Sequence, residues 1–131
     1  MHAINKKAGD SRNKVVAALR TVFRILKSWD VKVGDWGVLL GVSAATVHRW
    51  KAHPESVGNS RDLLERLSYI LGIYKALQIL LPASEASDSW IKRPNSAVFF
   101  GGHAPLERMM GGNMADLYEV RRWLDGQRAG S

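Results

Sequence analysis

Cysteine is absent from the 131-residue sequence. Without thiols the chain can form no disulfide framework and no thiolate metal site, and it has no cysteine nucleophile. A lack of cysteine is also consistent with a reducing compartment. We therefore expect a cytoplasmic protein.

Long hydrophobic runs are also missing. Glu65, Arg66, Lys75 and Gln78 interrupt the most apolar region, which never reaches the about 18 uncharged residues that a membrane helix needs. The first seven residues lack the apolar block of a signal peptide. We expect a soluble, intracellular protein with no membrane partner.

Motifs for catalysis, metals and cofactors are scarce. The four histidines, at positions 2, 48, 53 and 103, do not have the three- or four-residue spacing of metal ligands. There is no Gly-x-Ser-x-Gly elbow and no phosphate loop followed by Lys-Ser or Lys-Thr, and the carboxylates are scattered. We assign no catalytic residue, no metal site and no cofactor, and expect a protein that is not an enzyme.

The apolar residues that are present recur at helical spacing. Residues 13–29 and 60–81 each carry an apolar stripe with three- and four-residue steps, and Pro82 stops the second stripe. Shorter helices are expected over residues 85–92, from Pro105, and over 114–125, where Gly126 can end the last helix. No convincing strand alternation occurs, so we predict an all-α fold in which the five tryptophans pack in apolar cores.

The chain divides into three parts by composition and charge. Residues 1–12 are polar, basic and aperiodic, and are expected to form a flexible arm; residues 13–58 and 59–131 are expected to form two helical units. Residues 1–60 carry ten lysines and arginines against four acids, whereas residues 61–131 carry nine against eight. A polyanion should be attracted to the first half only, although a basic surface can also serve solubility alone.

The strongest local pattern lies at residues 35–50 and is typical of a helix-turn-helix. Gly41 can adopt the positive φ of the turn, Ser43 can cap the second helix, and Val47 and Trp50 fall on its inward face. Gly37 stands where the motif usually has alanine. It should loosen the first helix by about 1 kcal/mol while permitting close helix contact. The alternative is a plain helical hairpin with no DNA function.

The outward face of the second helix would then be small, polar or basic. Arg49 could donate two hydrogen bonds to a guanine edge, and Ala45 or the Thr46 methyl could meet a thymine methyl in the major groove. Arg12, Lys14 and other basic residues of the first half could contact phosphates. The predicted DNA-binding residues are Ser43, Ala44, Ala45, Thr46, His48, Arg49 and Lys51.

The second half resembles a known family. The segments that carry the resemblance are Leu80-Leu81-Pro82, Trp90-Ile91-Lys92-Arg93-Pro94-Asn95-Ser96-Ala97, Gly102-His103-Ala104-Pro105-Leu106-Glu107-Arg108-Met109 and Tyr118-Glu119-Val120-Arg121-Arg122-Trp123-Leu124-Asp125. Together they are similar to the toxin-binding half of the Xre/MbcA/ParS antitoxins, with the helix-turn-helix in its family position. The resemblance covers about residues 33–126 and leaves residues 1–29 least matched.

The resemblance implies a bacterial type II antitoxin. Such a protein neutralises a partner toxin, usually an NAD-consuming RES-domain protein, and represses its own operon by binding double-stranded operator DNA. We also expect a homodimer formed through the second half, because one short recognition helix reads few base pairs and two half-sites add their binding energies. The predicted toxin-binding residues are Trp90, Asn95, Phe99, Phe100, Arg108, Arg121, Arg122, Asp125 and Arg128.

The resemblance further implies that the C-terminal region lies over the toxin's active-site cleft. A cleft that holds a pyrophosphate would favour an acidic plug such as Asp125 or the terminal carboxylate. Arg121, Arg122 or Arg128 could instead pair with acidic catalytic residues, and we favour these arginines because guanidinium forms forked bonds to carboxylate. They could equally be a solvated helix face.

The sequence is also compatible with two other functions. One is a stand-alone helix-turn-helix regulator whose second half only dimerises. The other is a helical adaptor that binds no DNA, or an enzyme without a recognisable motif.

Overall fold

The computed structural model describes the backbone of residues 2–130 and the side chains of residues 9–130. All regular secondary structure in this range is helical, which confirms the all-α prediction. Two 3₁₀ turns, Val33–Asp35 and Pro54–Ser56, flank the second and third helices. The α-helices are α1 (His2–Ser28), α2 (Trp36–Leu40), α3 (Ala44–Ala52), α4 (Arg61–Leu80), α5 (Ser84–Trp90), α6 (Pro105–Met109) and α7 (Met114–Gly130).

Helix α1 is longer than the sequence pattern indicated. It begins at His2, whereas the sequence pattern indicated no helix over residues 1–12; of these twelve residues, only Met1 lies outside the part of the backbone that the structure describes. The flexibility of this arm stays a prediction. Its apolar stripe is buried as expected, with Leu19, Val22 and Leu26 fully enclosed. The residues before Asn13 add no apolar period, but alanines and lysines are good helix formers and can extend a helix whose later turns are packed.

Helix α4 forms the centre of the fold. The Ser60 hydroxyl caps it by accepting a hydrogen bond from the Leu63 amide at 3.1 Å, and Pro82 lies just beyond its end. Through its apolar stripe the helix packs against α1, α2, α5 and α7. Leu64 is the exception in that stripe, because it remains exposed.

Helix α7 also extends further than expected. It runs through Gly126 to Gly130, so the predicted helix end at Gly126 is corrected. Ion pairs from Asp125 to Arg121 at 3.3 Å and to Arg128 at 3.8 Å stand on both sides of the glycine. Helical neighbours of this kind offset part of the about 1 kcal/mol that glycine costs within a helix.

The two halves share one apolar core. Buried residues of α1, α2, α3, α4 and α7 belong to a single cluster, and α4 itself crosses from the helix-turn-helix to the C-terminal helices. The proposed division at residue 58 therefore stays a prediction. No helix within residues 2–130 has the length and apolar character needed to cross a membrane.

Candidate nucleic-acid and partner interfaces

The turn between α2 and α3 has the backbone geometry that the sequence predicted. Gly41 has φ 68°, in the left-handed region where glycine is favoured. Gly37 lies so close to the turn that a Cβ placed on it would be 2.2 Å from the carbonyl oxygen of Val42. Glycine at position 37 thus permits the tight contact between α2 and α3, as the sequence suggested.

Helix α3 is fixed at its start and along its inner face. The Ser43 hydroxyl oxygen accepts a hydrogen bond from the Thr46 amide at 3.1 Å, which confirms the predicted cap. Val47 and Trp50 are buried. With one face held in the core, the opposite face is presented on a rigid support.

That opposite face contains the predicted DNA-binding residues. Thr46 is half-buried, with its hydroxyl oxygen accepting a hydrogen bond from the Ser43 hydroxyl at 3.0 Å. The Lys51 ammonium lies 5.4 Å from the centre of the Trp36 ring, a cation–π distance that keeps it beside α2. The remaining members of the set are exposed: Ser43, Ala44, Ala45, His48 and Arg49.

The first half also carries exposed cations with few acids to neutralise them. None of the exposed cations in this group forms an ion pair within residues 9–130: Lys14, Arg20, Arg24, Lys27, Lys32 and Arg49. Arg12 differs, because one of its guanidinium nitrogens donates to the carbonyl oxygens of Glu55 and Val57 at 3.0 and 2.6 Å. Arg12 ties α1 to the segment after α3.

An aromatic cluster forms the centre of the second candidate surface. Trp90, Phe100 and Trp123 meet with ring centres 5.0–5.8 Å apart, and Phe99 packs edge-on against Phe100 at 4.7 Å. Phe100 is buried, while the other three are half-buried. The structure thus brings Trp90, Phe99 and Phe100 of the predicted toxin-binding set into one cluster.

Arg108 and Asn95 hold the loop that carries these phenylalanines. The Arg108 guanidinium carbon lies 4.2 Å from the centre of the Phe99 ring, and its Nη2 donates to Glu119 on α7. The Asn95 side-chain oxygen accepts a hydrogen bond from the Ala97 amide at 2.9 Å. Both predicted residues therefore use their side chains to fix this surface through contacts within the chain.

The remaining predicted residues divide between two faces of α7. Arg122 is exposed and borders a groove that Phe99, Glu119, Trp123 and Gln127 also line. A second groove lies on another side of the helix, between its last turns and the end of α4. That groove is lined by Ile79, Leu80, Arg121, Asp125, Arg128 and Ala129.

Arg121 packs between α7 and α4. A Cβ at Gly72 would be 1.8 Å from its Nη1, so its guanidinium lies directly over this glycine. Its Nη1 is 3.5 Å from the Ser68 carbonyl oxygen and its Nε donates to Asp125 at 3.3 Å. Arg121 thus lies between two helices rather than projecting from one.

Sequence reasoning missed two residues that the structure makes prominent. Arg66 was counted only as an interruption of an apolar region, yet it is buried in α4 with Leu63 and Ile70. Its helical phase with these leucine and isoleucine positions was the available signal. Val98, by contrast, is an apolar residue that the loop exposes almost completely, and its position beside Phe99 gave no sign of this.

The described part of the chain contains no group of three or more histidine, aspartate or glutamate side chains placed to hold a metal ion. The structure thus offers two candidate binding surfaces: a basic helical face in the first half and an aromatic surface bordered by arginines in the second.

Comparison with known proteins matches the two halves of the chain to two described domains. Residues 15–72 match the antitoxin Xre-like helix-turn-helix domain, and residues 76–130 match the antitoxin Xre/MbcA/ParS C-terminal toxin-binding domain. A relative, the uncharacterized protein y4oB of Sinorhizobium fredii (strain NBRC 101917 / NGR234), is 42% identical over 118 residues, which is 89% of this chain and 88% of the relative.

Proposed function

Because the chain belongs to the Xre/MbcA/ParS antitoxin family, we propose that it binds and neutralises a toxin and represses its own operon. The observation that carries this proposal is that one continuous apolar core supports two separate candidate surfaces. One is the exposed outer face of α3, where Arg49 has no acidic partner in the described range. The other is the aromatic surface within the toxin-binding domain. We further propose that the protein is cytoplasmic and not an enzyme.

DNA binding is assigned to the outer face of α3. Arg49 is exposed and has no ion pair within residues 9–130, so its guanidinium is available for a bidentate contact with guanine. Lys51, held beside Trp36, suits a phosphate contact that positions the helix without reading sequence. The unpaired cations of α1 add attraction to the DNA backbone.

Gel-shift titrations of the operon's own promoter fragment test this assignment. Arg49→Ala should cost about 1 to 3 kcal/mol and relax sequence preference, whereas Lys51→Ala should weaken all sequences and reduce the salt slope by about 1. Lys75→Ala is the matched control, because Lys75 is an exposed cation on α4, outside the helix-turn-helix. Unchanged affinity of an Arg49→Ala, Lys51→Ala double variant would show that the DNA-contacting residues lie elsewhere.

The toxin is proposed to be a RES-domain enzyme that consumes NAD, blocked when the C-terminal helix covers its active-site cleft. Of the candidate cations, Arg108 is paired with Glu119 and Arg121 with Asp125. Arg122 is exposed and has no ion pair in the described range. It is the arginine best suited to meet an acidic catalytic residue of the toxin.

Protection of cells that express the toxin is the test of this blocking surface. Deletion of residues 126–131 is a clean truncation, because residues 126–130 are exposed whereas Leu124 before them is buried. This deletion and Arg122→Glu should each reduce protection while leaving promoter binding intact. Arg61→Glu, at an exposed arginine of α4, is the charge-matched control.

If the deletion of residues 126–131 and Arg122→Glu both leave full protection, the inhibitory surface lies outside the end of α7. A chain that shifts its promoter but binds no protein encoded beside it would instead be a stand-alone regulator whose second half only dimerises.

Homodimerisation through residues 59–131 completes the proposal. A two-fold dimer would place two α3 helices on an inverted repeat whose half-sites are about one helical turn, roughly 34 Å, apart. Sedimentation at micromolar concentration and footprinting of the promoter test this together. A strict monomer on a non-palindromic site would contradict it.

A further inference from the structure

Val98 is the most exposed large apolar residue in the described part of the chain. Its side chain is 99% exposed, against 50% for Ile79, which is next. Partly exposed apolar residues are ordinary on protein surfaces. An apolar side chain that touches almost nothing of its own chain is different, because water contacts it on every side.

The loop that carries Val98 is fixed by its own hydrogen bonds. At its base the Asn95 amide donates to the His103 carbonyl oxygen at 3.1 Å, and the Gly102 amide donates to the Asn95 carbonyl oxygen at 2.9 Å. At its tip the Phe100 amide donates to the Ala97 carbonyl oxygen at 2.9 Å. The loop therefore closes on itself and presents Val98 at a defined position.

The side of the loop that faces the helices is also held in place. Phe100, two residues after Val98, is buried against Trp90 and Trp123. The Arg108 guanidinium packs on the ring of Phe99. A side chain held on such a support loses little conformational freedom when it binds, which is the condition for an efficient contact.

We propose that Val98 is an anchor residue that inserts into an apolar pocket of the toxin, with an acidic rim of that pocket facing Arg122. This inference rests on the proposed antitoxin function and adds the contact residue. The loop lies within residues 76–130, which match the toxin-binding domain. It also borders the groove formed by Phe99, Arg122 and Trp123, so one partner can contact both.

A second copy of this chain fits the loop less well. Val98 is a single projecting side chain rather than the broad apolar area of a stable dimer interface. Arg93 and Arg122 are exposed without an acidic partner in the described range. A two-fold contact through this surface would bring like charges from both copies together.

Calorimetric titration of the full chain with the purified toxin tests the anchor. Val98→Thr keeps the shape of the side chain but places a hydroxyl in the pocket, and should weaken binding by about ten- to hundredfold. Val98→Ala should weaken it by about tenfold through lost apolar contact. Ser96→Ala, at an exposed position of the same loop, should change affinity by less than about twofold.

The thermal midpoints of all three variants should match that of the unaltered chain, because the side chains of Val98 and Ser96 are both exposed. Toxin affinity that stays within about twofold for Val98→Thr and Val98→Ala would overturn the inference while leaving the proposed function standing. Unchanged toxin affinity with a loss of self-association would assign the loop to a second copy. Failure of the unaltered chain to bind the toxin would overturn both the anchor and the proposed function.

Discussion

Arg66 is the residue whose removal should most disturb the junction between the two halves. Its side chain is 9% exposed. The guanidinium donates to the Leu39 carbonyl oxygen at 3.3 Å, at the end of α2, and to the Gly112 carbonyl oxygen at 3.2 Å, in the turn before α7. Its Nε donates to Asp62 at 3.0 Å. One cation thus joins the helix-turn-helix, α4 and the C-terminal helices.

The cost of Arg66→Ala follows from the groups left behind. The Leu39 carbonyl oxygen lies in the interior and would lose its charged donor, which costs about 1 to 3 kcal/mol. The Gly112 oxygen can be hydrated in part, and Asp62 has a half-exposed side chain, so each adds less. Together with the lost packing of the buried stem, we expect a loss of about 2 to 4 kcal/mol of unfolding free energy.

Urea unfolding at fixed pH measures this loss as a lower midpoint with an unchanged slope. The control is Arg61→Ala on the same helix. Arg61 also pairs with an acid one turn away, at 3.1 Å, but its side chain is 92% exposed. Its removal should cost at most about 0.5 kcal/mol. Equal effects of the two substitutions would refute the reasoning that burial and backbone contacts make Arg66 important.

Three smaller perturbations also have defined expected outcomes in the same unfolding assay. Gly37→Ala should destabilise the chain by about 2 to 3 kcal/mol despite the better helix propensity of alanine, because its Cβ would meet the Val42 carbonyl oxygen at 2.2 Å; a stabilised variant would contradict this packing. Gly126→Ala should stabilise by about 0.5 to 1 kcal/mol, since a Cβ there meets no atom within 4 Å; a loss would indicate that α7 ends before this residue. Ser60→Ala should cost about 1 kcal/mol through the lost cap of α4, and no cost would mean that water replaces the hydroxyl equally well.

The helix-turn-helix could be predicted from sequence because its signals are local. The positive φ of Gly41, the cap at Ser43 and the inward Val47 and Trp50 each depend on residues a few positions apart. Such short-range features are encoded in turn chemistry and helical period.

The ends of the long helices could not be read in the same way. Glycine usually marks a helix end, but Gly126 lies within α7, where charged neighbours on both sides support the helix. The start of α1 at His2 has no apolar period to indicate it. Boundaries of this kind depend on sums of small propensities rather than on one residue.

The candidate toxin surface could be predicted only in part. The aromatic residues at 90, 99 and 100 meet because the loop returns to α5 and α7, which no local pattern encodes. Arg121 and Arg122 are neighbours in sequence but lie about 100° apart around α7. One therefore packs on α4 and the other faces the groove beside Phe99.

The most direct test of the central claim is size-exclusion chromatography of the chain mixed with the protein encoded beside it, tested as the toxin, and with its promoter fragment. If one chain binds the toxin through residues 76–130 and DNA through α3, the chain should elute with the toxin and, in a separate mixture, with the DNA. Elution of the chain apart from the toxin at micromolar concentration, while it still binds its promoter, would contradict the account.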